Sequence, residues 1–323
     1  MRRRDFISLC TGFLASPRLA AAETTKDIAH VGILTMGSED SVLDAAFRQG
    51  LADLGYAEGK NLAIDFRGAA GKAEMLPRFA AELVAAKVDV IIAAGSQATS
   101  AARQSTTAIP IVAISTNPVG LGFAASLAHP GGNITGLSLL GPEVAGKRLE
   151  LLKEMVPRLS RVAAMWVPED PAAVFSLKET QMAAKSLAIE LQVIEVHDLS
   201  AFDIAFQAAA DQGAGAVVLL PAPLVSRNPG PIAEAALRRQ MPALFYSRDA
   251  VSAGGLVSYG ASILAVNRRA AYFVDRILKG ANPADLPIEQ PTQFQLTINL
   301  KTARTLGLEL SPSLLARADE VVE

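Results

Sequence analysis

Short apolar runs alternate with amphipathic segments along most of this chain, and this alternation limits the folds that it can adopt. The apolar runs are residues 30–36, 61–67, 88–94 and 109–115 in the first half, and 161–167, 191–197, 216–221 and 242–247 in the second. Apolar strands that alternate with helices are typical of a parallel sheet covered by helices on both faces. The first two strands of each half start about thirty residues apart, as in successive βαβ units. The sequence therefore predicts an α/β protein with two doubly wound parallel-sheet lobes.

One strand in each half mixes polar with apolar residues. In residues 61–67, Leu62, Ile64 and Phe66 point to one side and charged residues to the other, and residues 191–197 are the more polar strand of the second half. A strand with one solvent-exposed face belongs at the edge of such a sheet, so we expect residues 61–67 at an edge.

The regular alternation breaks down in two regions. Residues 119–128 can form a short helix that Pro130 and Gly131 end. Toward the C-terminus we expect an extended segment at 254–260, a helix at 263–280, a linker at 283–291 and a strand at 294–299.

The chain begins with a pattern typical of an export signal. Arginines at positions 2–4 precede a short apolar run at residues 6–16, and Ala20–Ala22 offer a small-residue cleavage site. The run is too short to cross a bilayer, so we expect a signal peptide at residues 1–22 and a periplasmic protein. The segment from Arg3 to Phe6 also resembles a twin-arginine signal, and the choice of export route stays open.

Charge and cysteine content exclude several classes of protein. Removing residues 1–22 takes away four arginines and Asp5, which leaves 26 basic against 31 acidic residues and a net charge of −5. This charge argues against a nucleic-acid-binding surface. Cys10, in the leader, is the only cysteine, so we expect neither disulfides nor cysteine ligands after cleavage. No later apolar run approaches the roughly 18 residues of a membrane span, so we expect a soluble protein.

The sequence contains no convincing cofactor or catalytic motif. Residues 120–125, GLGFAA, fit the G-x-G-x-x-G/A pattern, but residues 116–119 separate them from the fourth strand, whereas a dinucleotide fingerprint directly follows the first. His30, His129 and His197 lack partners at metal-ligand spacing. We therefore expect no cofactor, no metal and no catalysis. An exported α/β enzyme that uses residues 120–125 to bind a nucleotide is the main alternative.

A ligand site is expected where the predicted strands end. Doubly wound sheets bind ligands beyond the carboxyl ends of their strands, where helix N-termini suit anions. Among these loops, residues 95–97 are the best candidates for a carboxylate. The polar and aromatic side chains of these loops give the candidate ligand-binding residues Ser38, Ser96, Gln97, Asn117, Asp170, Tyr246, Arg248 and Asp249.

Each candidate also has a plainer interpretation. Ser, Asn and Asp after a strand often cap the next helix. Arg248 and Asp249 together match the two charges of an amino acid, but either could form an ion pair within the protein. Trp166 could stack on a ligand, although burial in the sheet is the more common role for such an aromatic residue.

Several collinear segments resemble one protein family. Residues 115–139, STNPVGLGFAASLAHPGGNITGLSL, resemble a segment of the ABC-transporter solute-binding proteins related to tryptophan-binding proteins. The resemblance continues in residues 45–67, 147–157, 253–260, 276–308 and 314–323. Many members of that family have an aspartate where this chain has Asn117, so the ammonium contact of those relatives does not transfer directly.

The resemblance implies a type I periplasmic binding protein with three segments crossing between its lobes, near residues 135–140, 252–260 and 286–294. Lobe one would comprise residues 28–136 and 260–288, and lobe two residues 137–256 and 292–323. The implied role is a monomeric receptor that captures a small polar solute, an aromatic amino acid being favoured, and delivers it to an ABC permease in the inner membrane. A receptor that presents its ligand to a sensor protein is a further alternative.

Overall fold

The computed structural model describes residues 28–38, 42–139 and 142–323, with only the backbone described for residues 42–44, 142 and 143. The predicted signal peptide, including Cys10, lies outside the described residues. Among the helices that are described, none combines the length and the apolar composition needed to cross a membrane.

The first sheet has five parallel strands in the order β2-β1-β3-β4-β5. Its strands are β1 (Ala29–Thr35), β2 (Leu62–Gly68), β3 (Val90–Ala94), β4 (Ile111–Ser115) and β5 (Ile134–Ser138), and the helices between them are α1 (Val42–Asp53), α2 (Leu76–Ala85) and α3 (Ser96–Ser105).

The second sheet has seven strands in the order β12-β11-β10-β9-β8-β6-β7. Its strands are β6 (Arg161–Trp166), β7 (Glu190–Glu195), β8 (Ala216–Leu219), β9 (Ala243–Phe245), β10 (Val257–Ala261), β11 (Phe294–Asn299) and β12 (Glu320–Val322). The accompanying helices are α4 (Pro142–Met155), α5 (Ala173–Ser186), α6 (Ala201–Asp211), α7 (Pro223–Arg227), α8 (Pro229–Arg238), α9 (Arg248–Ser252), α11 (Leu300–Thr305) and α12 (Pro312–Leu315). Strands β6 to β10 repeat the order of β1 to β5, so the prediction of two doubly wound sheets of like topology is confirmed.

The two partly polar strands lie at sheet edges. Strand β2 ends the first sheet and β7 ends the second, as their mixed polarity indicates. The second sheet also gains β11, which runs antiparallel to β10, and β12 beyond it. Strand β12, which has three residues at the C-terminus, was not predicted from the sequence.

Helix α10 (Ile263–Leu278) packs on the first sheet although it follows a strand of the second. Val266, Phe273 and Val274 join the core on one face of the first sheet. Helices α10 and α1 approach closely because Gly50 has no side chain: a Cβ there would lie 2.7 Å from the carbonyl oxygen of Arg268. The chain therefore returns to lobe one through α10.

The points at which the chain crosses between the lobes differ from the expected limits of the lobes. Residues 137 and 138, expected in lobe two, belong to β5 of the first sheet. Residues 260 and 261, expected in lobe one, belong to β10, which lies between β9 and β11 of the second sheet. The chain therefore crosses after Ser138 and again after Ala261, because the backbone hydrogen bonds of β5 and β10 are satisfied within those sheets.

The prediction of a short helix at residues 119–128 is wrong. The segment forms turns, which begin where Asn117, at φ 48°, accepts a hydrogen bond from the Gly120 N–H at 2.9 Å. Gly122 also has a positive φ, of 70°, which is incompatible with continuing an α-helix. The side chain of Asn117 thus competes with helical hydrogen bonding.

Candidate functional site

The two lobes touch each other at loops that follow the carboxyl ends of their strands. The Gln97 side chain, after β3, donates from Nε2 to the carbonyl oxygen of Glu169, after β6, at 3.4 Å. Arg227 in α7 donates from Nη2 to the carbonyl oxygen of Ala70, after β2, at 2.8 Å. These contacts join opposite walls of a cleft, so the structure shows a closed arrangement of the lobes.

A third contact between the walls involves an aromatic residue. A Cβ placed on Gly120 would lie 2.8 Å from the Phe175 ring, so the glycine allows the turn after β4 to meet α5. Phe175 is half-buried and adds apolar surface to a cleft that otherwise presents polar loops.

In lobe one, Ser96 is committed to the protein itself. It is 7% exposed, and its Oγ lies 3.0 Å from Ser115 Oγ and accepts from the Thr116 N–H at 3.3 Å. The hydroxyl therefore ties the start of α3 to the end of β4. The residue before it, Gly95, has φ 103° and gives α3 no side-chain cap.

The other lobe-one candidates differ in their surroundings. Gln97 has its Oε1 buried without a hydrogen-bond partner among the described residues. Asn117 uses its side chain in the turn with Gly120. Ser38 is exposed just beyond β1. Of the three, Gln97 is the one whose contact spans the cleft.

In lobe two, Asp170 lies within electrostatic range of Tyr246. Asp170 is 8% exposed, and its Oδ1 accepts from the Ala172 N–H at 2.9 Å. Burial raises the pKa of the Asp170 carboxyl, and this hydrogen bond offsets only part of the shift. Tyr246 donates from its hydroxyl to the carbonyl oxygen of Ala222 at 2.9 Å. Burial raises the pKa of Tyr246 to about 12, and the negative charge of Asp170 also acts to raise it.

Arg248 and Asp249 lie in the first turn of α9 and are exposed. Arg248 donates from Nη2 to Glu320 Oε1 in β12 at 2.6 Å, and its Nε contacts the second carboxylate oxygen. Glu320 in turn raises the pKa of Arg248. The structure thus places Arg248 in an ion pair within lobe two, which is the plainer of its two interpretations.

Trp166, at the end of β6, is half-buried and packs against the core between the second sheet and helices α4 and α5. Its indole Nε1 is buried and has no hydrogen-bond partner among the described residues. The Ser176 Oγ in α5 is likewise buried without a hydrogen-bond partner among the described residues. The packing agrees with the role of a buried aromatic residue in the sheet.

Arg148 is a buried charged residue that was not among the candidates predicted from the sequence. This residue of α4 is 7% exposed and donates from Nε to the Tyr259 carbonyl oxygen at 2.8 Å. Burial lowers the pKa of Arg148 to about 10. Its position on helix α4 could have identified it from the sequence. Val144, Leu152 and Met155 lie on the same buried face of this helix, where a charged residue is exceptional.

Comparison with known proteins identifies the family. A model of the ABC transporter substrate binding protein family matches residues 30–322. The chain belongs to this family. Its resemblance to those proteins, inferred above from collinear segments, is thereby confirmed.

Individual relatives cover most of the chain. A tyrosine-binding protein of Clostridioides difficile strain R20291 is 26% identical over 286 residues, which are 87% of this chain and 81% of the relative. The crystal structure of a conserved domain protein from Vibrio cholerae covers 91% of this chain and 100% of its own, with 27% identity and a TM-score of 0.86. An ABC domain from Streptococcus pneumoniae in complex with L-Trp covers 91% and 99%, with 23% identity and a TM-score of 0.85. These neighbours, with a periplasmic binding protein from Burkholderia mallei at 14% identity and a TM-score of 0.60, show the two-lobe fold.

Proposed function

We propose that this substrate-binding protein captures an L-amino acid, with an aromatic side chain favoured, in the cleft between its lobes. The observation that carries the proposal is the closed cleft, in which Gln97 and Arg227 join loops from opposite lobes. Such contacts let a ligand that touches both lobes favour the closed form. The relatives support the ligand class, since one is named for tyrosine and another was crystallised with L-Trp.

The cleft offers both polar and aromatic groups for such a ligand. Asp170 supplies a buried negative charge, and the side chain of Phe175 supplies an apolar wall. Ser38, Ser96, Gln97, Asn117, Asp170, Tyr246, Arg248 and Asp249 remain the proposed contact residues from the loops. An aromatic ring buries a large apolar area, so one such wall favours aromatic over small side chains.

The proposal includes the route of the protein and of its ligand. The signal peptide would place the mature chain in the periplasm, where it would act as a monomer and deliver the amino acid to an ABC permease. The limits of the two lobes would follow the sheets, with the crossings after Ser138 and Ala261.

Calorimetric titration of the mature protein against the twenty L-amino acids tests the proposal. We expect one-to-one binding of L-tyrosine, L-tryptophan or L-phenylalanine, with the ligand recovered unchanged, and a rise in melting temperature for the same compounds. Absence of binding by any amino acid at millimolar concentration would remove the proposed ligand class. Chemical conversion of the ligand would favour an enzyme.

A further inference from the structure

Gln97 has a hydrogen-bond acceptor that lies buried without a partner in the closed cleft. Its Nε2 donates to the carbonyl oxygen of Glu169 in the other lobe at 3.4 Å. A carbonyl oxygen can only accept, so this contact orients the amide with Nε2 toward Glu169 and Oε1 away from it. Oε1 is buried and has no hydrogen-bond partner among the described residues. A buried acceptor without a donor is costly, so Oε1 is suited to a donor that the ligand supplies.

The loop that carries Gln97 is tied to the loop after β4. Ser96 Oγ, one residue before Gln97, lies 3.0 Å from Ser115 Oγ at the end of β4. Two residues further along the chain, the side chain of Asn117 accepts a hydrogen bond from the Gly120 N–H at 2.9 Å. Gln97 and Gly120 therefore belong to one hydrogen-bonded surface of lobe one.

One short segment of lobe two meets both ends of this surface. Glu169 accepts from Gln97, and six residues later the ring of Phe175 lies against Gly120, where an added Cβ would be 2.8 Å from the ring. The segment between them is compact, since the Phe175 N–H donates to the Ala172 carbonyl oxygen at 3.2 Å. The unpaired acceptor and the aromatic ring thus lie in the same contact between the lobes.

The start of α3 disfavours a cation as the missing donor. Gln97 is the second residue of this helix, whose N-terminus carries partial positive charge and has no side-chain cap. A neutral O–H or N–H is not repelled there. The ring of Phe175 favours an aromatic group beside it. A phenol and an indole each combine an aromatic face with one neutral donor, whereas a phenyl ring has no donor.

We infer that Gln97 Oε1 accepts a hydrogen bond from the ring of the ligand, either a phenol O–H or an indole N–H, while Phe175 packs against that ring. This assignment rests on the proposed function and narrows its ligand class to aromatic amino acids that carry a donor on the ring. L-phenylalanine leaves Oε1 buried and unpaired. A site that pairs a buried polar group rejects an analogue without the partner much more strongly than a site that only fits the shape.

The first test needs no variant. Calorimetry would compare the tighter-binding of L-tyrosine and L-tryptophan with an analogue that lacks only the ring donor. The analogue of tyrosine is L-phenylalanine, and that of tryptophan is its benzothienyl analogue, in which sulfur replaces the indole N–H. We expect the donor-bearing amino acid to bind at least about tenfold more tightly than its analogue. Equal affinity for the two would overturn the assignment. If the protein binds no aromatic amino acid at all, the proposed function itself fails.

The second test assigns the preference to Gln97. Gln97→Met keeps the length of the side chain and removes both polar atoms, so the preference for the donor-bearing ligand should fall below about threefold. The matched control is Arg227→Ala, which removes a hydrogen bond across the cleft outside this contact. It should lower both affinities by the same factor and leave the preference unchanged. A Gln97→Met protein that keeps the preference would overturn the assignment. So would one that instead loses the discrimination between the amino acid and its deaminated acid, because Oε1 would then bind the ammonium group.

Discussion

Replacement of Arg227 by alanine should weaken ligand binding although this residue need not touch the ligand. Its hydrogen bond to the Ala70 carbonyl oxygen spans the cleft at 2.8 Å, so separation of the lobes must break it. The loop that presents this carbonyl is held to the end of β1 by hydrogen bonds from Ala69 and Gly71 to residues 35 and 36. A solvent-exposed hydrogen bond of this kind contributes about 1 kcal/mol, which corresponds to about a fivefold loss of affinity.

Gly71 provides a second perturbation of the same contact. Its φ of 88° and the missing side chain let the guanidinium lie against it, since a Cβ there would lie 2.0 Å from Arg227 Cζ. Gly71→Ala should therefore also weaken binding, and the losses from the two substitutions should not add, because both remove one contact. Titration calorimetry on both single variants and the double variant measures this.

The matched control is Arg238→Ala, which removes an arginine paired with Asp203 inside lobe two. It should leave the affinity unchanged. Equal affinity of Arg227→Ala and the unaltered protein, or full additivity with Gly71→Ala, would refute the argument that this contact stabilises the closed form.

Three further predictions concern stability and processing. Burial raises the folded-state pKa of Asp170 above its ordinary value of 3.8, so the folded protein favours the protonated carboxyl. The free energy of unfolding therefore falls as the pH rises from 3.8 to the raised pKa. Asp170→Asn should consequently raise the ligand-free melting temperature at pH 7, and a lower value would contradict this. Gly260→Ala should destabilise the fold by about 1–3 kcal/mol in urea unfolding, because its Cβ would lie 2.1 Å from the Tyr246 carbonyl oxygen. Intact-mass measurement of periplasmic protein should show that residues 1–22 are gone, and a full-length mass would argue against a cleaved signal.

The periodic pattern of the sequence was sufficient to predict strands β1 to β4 and β6 to β9 and the position of β2 at an edge. Apolar strands and amphipathic helices are local features of the sequence. The rules for connections between parallel strands then leave few possible strand orders for a doubly wound sheet. That β10 belongs to the second sheet could not be predicted in this way. Residues 257–261 can satisfy their backbone in either lobe, and the antiparallel partner that fixes them, β11, begins only at Phe294.

The same contrast holds for the site. The rule that ligands bind beyond strand ends led to Gln97, whose side chain donates to the carbonyl oxygen of Glu169 in the other lobe, and to Asp170, the residue after Glu169. It could not lead to the buried Arg148, because this residue lies within α4 and not in a loop after a strand. A search for charged residues on the buried stripe of a helix would have found it, since the stripe itself is visible in the sequence.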